Sequence, residues 1–94
     1  MKQMETDEEL IKLCLKDKNN FKLLYDKYAD IIYNFALYLT GSSIIAEELT
    51  QDAFVKFHFA INRFNPQKGK IISYIFKIVQ NSFKNIQKRN KKNL

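Results

Sequence analysis

The chain has 94 residues, a formal net charge of +6 and 46% hydrophobic residues. This length suits one domain with a single core, and two glycines and one proline in the whole chain indicate long helical elements with few turns. A single cysteine excludes an internal disulfide and fits a reducing, cytoplasmic compartment. The N-terminus is polar and acidic, unlike a signal peptide, and no stretch reaches the roughly 18–20 apolar residues of a membrane span, so we expect no membrane insertion.

Charge is distributed unevenly along the chain. Residues 1–52 carry six Lys and ten acidic residues, whereas residues 53–94 carry ten Lys or Arg and no acidic residue. Such a basic half favours a polyanionic partner, above all nucleic acid, with an anionic membrane surface as the competitor. Because fourteen of the sixteen basic residues are Lys, which binds phosphate as a point charge, we expect backbone contacts more than guanine recognition by Arg.

The first predicted helix runs from about residue 7 to 18. Thr6 and Glu9 have the spacing of a capping box, and Asp7 suits the positive end of the helix dipole. The pair Asn19-Asn20 is expected to end this helix and to cap the next one. The side chains expected in the core are Leu10, Ile11, Leu13 and Cys14.

A second helix is predicted at about 21–40, followed by Gly41 in a left-handed cap. Its apolar residues recur at spacings of three and four; they are Phe21, Leu24, Tyr25, Tyr28, Ile32, Phe35 and Leu39. Asp26 and Asp30 lie one turn apart on its outer side, where a solvated face is a better interpretation than a catalytic carboxylate pair.

Ser42 and Ser43 are expected to start a third helix at about 44–62. Its predicted core stripe consists of Ala46, Leu49, Ala53, Phe54, Phe57, Ala60, Ile61 and Phe64. The opposite side holds Glu48, Gln51, Asp52, Val55, Phe59 and Asn62. A solvated face has no need of Val55 and Phe59, which favours a protein partner; the alternative is that they cover a larger core.

The stretch from Phe64 onward combines a turn with a basic helix. Pro66 disfavours helical geometry at Asn65, and Gly69 is expected to let the chain turn before a fourth helix at about 71–89. The inward side of that helix is predicted to hold Ile71, Ile75, Ile78, Val79, Ser82, Phe83 and Ile86.

A basic strip about 80° wide follows the fourth helix, at 100° per residue. It consists of Lys70, Tyr74, Lys77, Asn81, Lys84 and Lys88. Lysines for phosphate, a ring for stacking and an amide for a base edge suit single-stranded or distorted nucleic acid. The alternative is the ordinary wet side of a soluble helix, and a basic tail at 88–94 extends the charge.

Three segments together resemble region 2 of bacterial sigma factors: LYDKYADIIYNFALYLTGS at 24–42, AEELTQDAFVKF at 46–57 and FNPQKGKIISYIFKIVQNS at 64–82. The short form is similar to the extracytoplasmic-function (ECF) class, and the resemblance covers about residues 7–92. It implies an all-α, compact bundle of about four helices, without enzymatic activity or cofactor, in a single domain spanning 1–94. It also implies docking on the clamp helices of core RNA polymerase and capture of the non-template strand of the promoter minus-10 element.

The resemblance implies two sets of site residues. The polymerase-binding set is Glu48, Gln51 and Asp52, bordered by Val55 and Phe59. The loop from 62 to 70 accepts a flipped base in the family, and the next helix contacts the strand. The DNA-binding set is therefore Asn62, Arg63, Phe64, Asn65, Lys68, Lys70, Tyr74, Lys77, Asn81, Lys84 and Lys88.

The sequence departs from the family in two residues of the basic helix and in its extent. Tyr74 stands where the family often has Trp, and Gln80 where it often has Arg, which weakens stacking and phosphate contacts. The helix-turn-helix domain that binds the minus-35 element is expected to be absent. An anti-sigma factor is a further partner that the resemblance allows.

A second hypothesis from another class is a helical interaction module whose basic helix docks an acidic protein partner, with no nucleic-acid role. Changing Asn81 or Tyr74 to Ala separates the two hypotheses, because only base recognition predicts an altered sequence preference. An enzyme is not expected, since no nucleophile, base and orienting group come together. His58 has no Cys partners and therefore predicts no metal site.

Overall fold

The fold, given by a computed structural model, is described for residues 6–92. Within that range it contains no strand and consists of α1 Asp7–Lys16, a 3-10 turn Lys18–Asn20, α2 Phe21–Thr40, α3 Ser43–Ala60 and α4 Ile71–Lys92. The predicted all-α class with four helices is confirmed. The expectations for residues 1–5 and for the end of the basic tail, 93–94, lie outside the described residues.

The start of α1 is the predicted capping box. The hydroxyl of Thr6 accepts a hydrogen bond from the backbone N–H of Glu9 (3.2 Å), and the Glu9 carboxylate accepts one from the backbone N–H of Thr6 (3.2 Å). Two backbone donors that a helix start leaves without partners are thereby satisfied. The Thr6 backbone N–H and hydroxyl, which both donate to the Glu9 carboxylate, hold the pKa of Glu9 below its usual value.

The junction between α1 and α2 differs from the prediction. Asp17 is extended (φ −151°, ψ 122°) and its carboxylate accepts from the backbone N–H of Asn19 (3.0 Å), so α1 ends at Lys16. Asn20 does not cap α2 with its side chain; its amide donates instead to the carbonyl of Leu13 (2.9 Å), at the end of α1. The side chain of Asn20 therefore caps the C-terminal end of α1.

Gly41 makes the corner between α2 and α3. Its φ of +67° lies in the left-handed region, and its N–H donates to the carbonyl of Leu37 (2.8 Å). Ser42 then caps α3, since its hydroxyl accepts from the N–H of Ile45 (3.3 Å). These two residues reverse the chain as predicted, because glycine adopts positive φ without a Cβ clash.

The two remaining helix ends lie a few residues from their predicted positions. α3 ends at Ala60 rather than at 62, because the N–H of Phe64 turns back to the carbonyls of Ala60 and Ile61 (3.2 and 3.3 Å). α4 continues past the predicted end at 89 to Lys92.

The core lies where α2, α3 and α4 pack on one another, with α1 against α2. Its largest fully buried side chains are Leu10, Leu24, Ile32, Phe57, Ile71, Ile75 and Val79. The predicted stripe of α3 is buried except for Phe64, which is half-buried, as is Leu13; Tyr25 is exposed. Cys14 is buried as expected, and burial raises the pKa of its thiol.

One contact links the first helix to the last. The carboxylate of Asp7 accepts a hydrogen bond from the backbone N–H of Ile71 (2.9 Å), the first residue of α4. Its other oxygen accepts from the hydroxyl of Tyr28, which is buried on α2. Burial and this hydrogen bond raise the pKa of Tyr28. Asp7 therefore joins α1, α2 and α4.

No helix within the described part of the chain has the length and apolar character needed to cross a membrane.

Candidate protein and nucleic-acid interfaces

The outer side of α3 presents the five residues predicted to bind protein, Glu48, Gln51, Asp52, Val55 and Phe59, which we call the α3 face. Phe59 is 74% exposed and Val55 54% exposed. These apolar side chains therefore do not cover a larger core, which was the alternative interpretation. An exposed aromatic ring beside acidic residues is the kind of surface that a protein partner covers.

An apolar groove between α2 and α3 includes Gln51, Val55 and Phe59 of the α3 face. It is lined by Phe21, Tyr25, Gln51, Phe54, Val55, His58 and Phe59. Ring contacts form its walls: Phe21 and His58 meet edge-on with centroids 5.0 Å apart, and Tyr25 and Phe54 meet at a tilt with centroids 4.8 Å apart. The sequence did not indicate that the four residues of these pairs belong to this surface. His58 is a wall of this groove, and no described cluster of His, Cys, Asp or Glu side chains is arranged to hold a metal ion.

The α3 face also meets α4 through a polar network. The carboxylate of Asp52 accepts from the ammonium of Lys56 (3.0 Å) and from the hydroxyl of Ser82 (3.2 Å), and Lys56 also donates to Ser82 (3.2 Å). Asp52 is therefore half-buried and turned toward α4, whereas Glu48 is exposed. A cation on a partner must compete with Lys56 for Asp52.

The loop between α3 and α4 is held by its own backbone and by Asn65. The Asn65 side-chain oxygen accepts from the N–H of Gln67 (2.9 Å), and the Asn65 carbonyl accepts from the N–H of Lys68 (3.0 Å). Gly69 does not have a positive φ, and a Cβ there would meet no atom within 4 Å. Gly69 lies in the bend before α4, as predicted, but without the left-handed conformation that favours glycine.

Three aromatic rings connect this loop to both flanking helices. The ring centroids of Phe57, Phe64 and Tyr74 are 5.4–5.5 Å apart in all three pairs, with edge-on geometry. Phe57 is fully buried, Phe64 half-buried and Tyr74 38% exposed. Tyr74 is the most exposed residue of the three. Phe64 packs against both other rings, as its place in the predicted core stripe required; its predicted contact with DNA stays a prediction.

The remaining loop residues of the predicted DNA-binding set are exposed. They are Asn62, Arg63, Asn65 and Lys68. They are positioned around the Asn65 turn, at the N-terminal approach to α4.

The six residues of the basic strip are all exposed. Tyr74, Lys77 and Asn81, with Ile78 beside them, line a shallow cleft of about 200 Å³. No strip lysine forms an ion pair among the described residues, whose ion pairs are Lys12–Glu8, Lys22–Asp26 and Lys56–Asp52. The strip is therefore an uncompensated row of positive charge around a partly exposed ring and an amide.

Comparison with protein families matches residues 24–93 to Sigma-70 region 2. The match covers about three quarters of the chain, so the chain belongs to the sigma-70 region 2 family. This family acts in promoter recognition and RNA polymerase binding during transcription initiation and is not a family of enzymes. No curated protein and no solved structure matches the chain. The match begins at Leu24, so α1 and the 3-10 turn lie outside it, although the resemblance was expected from about residue 7.

Proposed function

We propose that the chain is the region 2 domain of an alternative sigma factor of the ECF class, a single domain acting in the cytoplasm. In this proposal the α3 face binds the clamp helices of core RNA polymerase. The loop and the basic strip capture the non-template strand of the minus-10 element. The observation that carries the proposal is the basic strip: Lys70 and five exposed residues of the acid-free helix α4 lie in line, within a chain of this family.

The protein side of the proposal rests on the exposed apolar residues of α3. Phe59 and Val55 would enter the polymerase interface together with the apolar groove, where aromatic side chains supply most of the binding energy. Glu48 and Asp52 would pair with basic residues of the clamp, and Gln51 would add a hydrogen bond. Because Asp52 is already paired with Lys56, we expect Glu48 to contribute more to the association.

On the DNA side, lysine charges, an aromatic ring and a side-chain amide have different roles. Lys70, Lys77, Lys84 and Lys88 would neutralise phosphates, which supplies affinity without sequence preference. Flipping a base out of the stack costs a few kcal/mol, and stacking on an aromatic ring returns about 1–3 kcal/mol per base. Two observations support this role for Tyr74: Phe57 and Phe64 contact its ring edge-on, and the residue is 38% exposed.

The loop would hold the flipped base beside this ring. Its exposed Asn62, Arg63 and Asn65 offer hydrogen-bonding groups, and Lys68 offers a charge for phosphate. Phe64 acts indirectly in this scheme, since its packing against Tyr74 fixes the stacking surface.

A selection experiment tests the DNA side. Single-stranded oligonucleotides with a randomised central segment are selected on the purified chain at physiological salt, and the winner is titrated against its own shuffled versions. We expect the winner to bind at least about tenfold tighter, equivalent to one good base contact. Failure to enrich any sequence would refute the proposal.

Asn81→Ala provides the discriminating variant, with Asn34→Ala as the matched control on α2. Both asparagines are exposed, so stability should change little. Asn81→Ala should reduce the preference for the selected strand while leaving salt-dependent binding to shuffled strands. Asn34→Ala should change neither, and an equal effect of the two would contradict base reading by Asn81.

A further inference from the structure

The start of α4 lacks a cap of its own. The residue before the helix is Lys70, preceded by Gly69, and no acidic residue lies in the first turn of α4. Ser, Thr, Asp and Asn are the residues that normally satisfy the first N–H groups of a helix from this position. The local sequence therefore leaves the beginning of the DNA-binding helix without an acceptor.

Asp7 supplies that acceptor from the other end of the sequence. Its carboxylate receives the N–H of Ile71 at 2.9 Å, and the buried Tyr28 donates to its second oxygen. Asp7 is the first residue of α1, directly after the cap residue Thr6. The Asp7 carboxylate is thus held by the hydroxyl of Tyr28 and by the position of Asp7 in the first turn of α1.

The residue that Asp7 holds is next to the basic strip. Ile71 follows Lys70, and the N–H of Tyr74 bonds to the carbonyl of Lys70 (3.2 Å) in the same turn. Fixing the N–H of Ile71 therefore fixes the turn that presents Lys70 and Tyr74. A one-ångström displacement of a stacking ring is enough to weaken a positioned contact.

The charge of Asp7 has a second consequence. A helix N-terminus attracts anions, and an uncapped start of α4 would offer strand phosphates a competing position. The carboxylate occupies that position.

We propose that Asp7, anchored by Tyr28, is a positioning residue for strand recognition. Through Asp7, α1, which lies outside the family match, holds the first turn of α4 in position. This inference rests on the proposed function. It assigns a role in DNA binding to a residue that touches no DNA in that proposal.

The test compares Asp7→Ala with Asp7→Asn and with Glu9→Ala as the matched control. Glu9→Ala removes the two hydrogen bonds that the Glu9 carboxylate accepts from Thr6 in the first turn of the same helix, but no bond to α4. Asp7→Asn keeps an oxygen for the N–H of Ile71 and removes the charge. All variants are examined in the complete chain, under conditions where circular dichroism and urea titration show them folded.

The first measurement is amide hydrogen exchange by NMR, which requires no DNA. Asp7→Ala should speed exchange of the Ile71 amide at least about fivefold more than Glu9→Ala does, the factor expected for loss of a helix cap. Asp7→Asn should retain most of the protection. Equal protection of Ile71 in Asp7→Ala and Glu9→Ala would overturn the positioning role.

The second measurement is the affinity ratio between the selected oligonucleotide and its shuffled version. Asp7→Ala should lower this ratio about threefold to tenfold, whereas Glu9→Ala and Asp7→Asn should leave it close to that of the unmodified chain. Equal losses in Asp7→Ala and Glu9→Ala would show a merely structural role. If the unmodified chain binds the selected and shuffled oligonucleotides equally well, the proposed function is refuted, and with it the role of Asp7 in DNA binding. The exchange rates of the Ile71 amide still decide whether Asp7 holds the start of α4.

Discussion

Lys77→Gln tests whether the basic strip follows the phosphate backbone. Lys77 is exposed at the middle of the strip and has no ion-pair partner among the described residues. Its removal should change the free energy of unfolding by less than about 0.5 kcal/mol. Any effect on DNA binding then reports contact with the strand rather than damage to the fold.

The magnitude follows from counterion release. The four strip lysines lie along α4 at rises of about 1.5 Å per residue, so Lys70 and Lys88 are about 27 Å apart along the helix. If each of these four lysines and Lys68 neutralises one phosphate, the logarithm of the binding constant falls with the logarithm of salt concentration at a slope of about −3.5, and Lys77→Gln reduces it to about −2.8. Raising KCl from about 50 to 200 mM should then weaken binding about 130-fold in the unmodified chain and about 50-fold in the variant.

The assay is fluorescence anisotropy of a labelled single-stranded oligonucleotide at a series of KCl concentrations. Lys16→Gln is the control, because Lys16 is an exposed lysine in the acidic half of the chain. Its slope should equal that of the unmodified chain. An unchanged slope in Lys77→Gln, or an equal reduction in Lys16→Gln, would refute the assignment of the strip to phosphate binding.

Three further predictions concern the fold. Gly41→Ala should lower the free energy of unfolding, measured by urea titration, by about 1–2 kcal/mol because Gly41 has a positive φ. Gly69→Ala should leave this free energy unchanged or raise it by up to about 1 kcal/mol, because a Cβ at Gly69 meets no atom. A larger loss of stability in Gly69→Ala than in Gly41→Ala would contradict the two turn geometries. Cys14 should react slowly with a thiol reagent in the native chain and rapidly in urea, since burial raises its pKa and blocks access; fast native labelling would place it outside the core. The hydrogen bonds from Thr6 lower the pKa of Glu9, so the stabilising contribution of Glu9 should be complete above the usual pKa of 4.5 and should decline as the pH falls through the lower native pKa. Acid unfolding curves of Glu9→Gln should lack this decline in stability. An identical decline in Glu9→Gln would rule out Glu9 as its source.

The helices were predictable because their signals are local. α2 begins and ends at the predicted residues, since its apolar periodicity is strong and Gly41 marks its end within one residue. Thr6 and Ser42 act as caps because a cap depends only on the next three residues. The exposure of Phe59 followed from its angular position on α3.

The missed features depend on residues that are distant in sequence. Asp7 and Ile71 are 64 positions apart, so local reasoning could place Asp7 only on the dipole of its own helix. Angular position predicts the side of α3 that Asp52 occupies, but not that Ser82 of α4 lies within 3.2 Å of it. The apolar groove was missed for the same reason, because it requires the packing of α2 on α3 that brings Phe21 to His58.

The inward packing of Phe64 could have been inferred in part. It belonged both to the predicted core stripe and to the predicted DNA-binding set; its half-burial against Phe57 and Tyr74 confirms the packing, and the DNA contact stays a prediction. Aromatic residues in a loop between two helices are often drawn into the core by their area.

The central claim is that two separate surfaces bind two partners, protein on α3 and DNA on α4. The most direct measurement is the binding of Phe59→Ala and Lys77→Gln to core RNA polymerase and, separately, to the selected oligonucleotide. We predict that Phe59→Ala weakens polymerase binding by at least about tenfold, as expected for an interface aromatic residue, and leaves oligonucleotide binding unchanged, whereas Lys77→Gln weakens only oligonucleotide binding. Equal losses for both partners in either variant would contradict the division of the molecule into two binding surfaces.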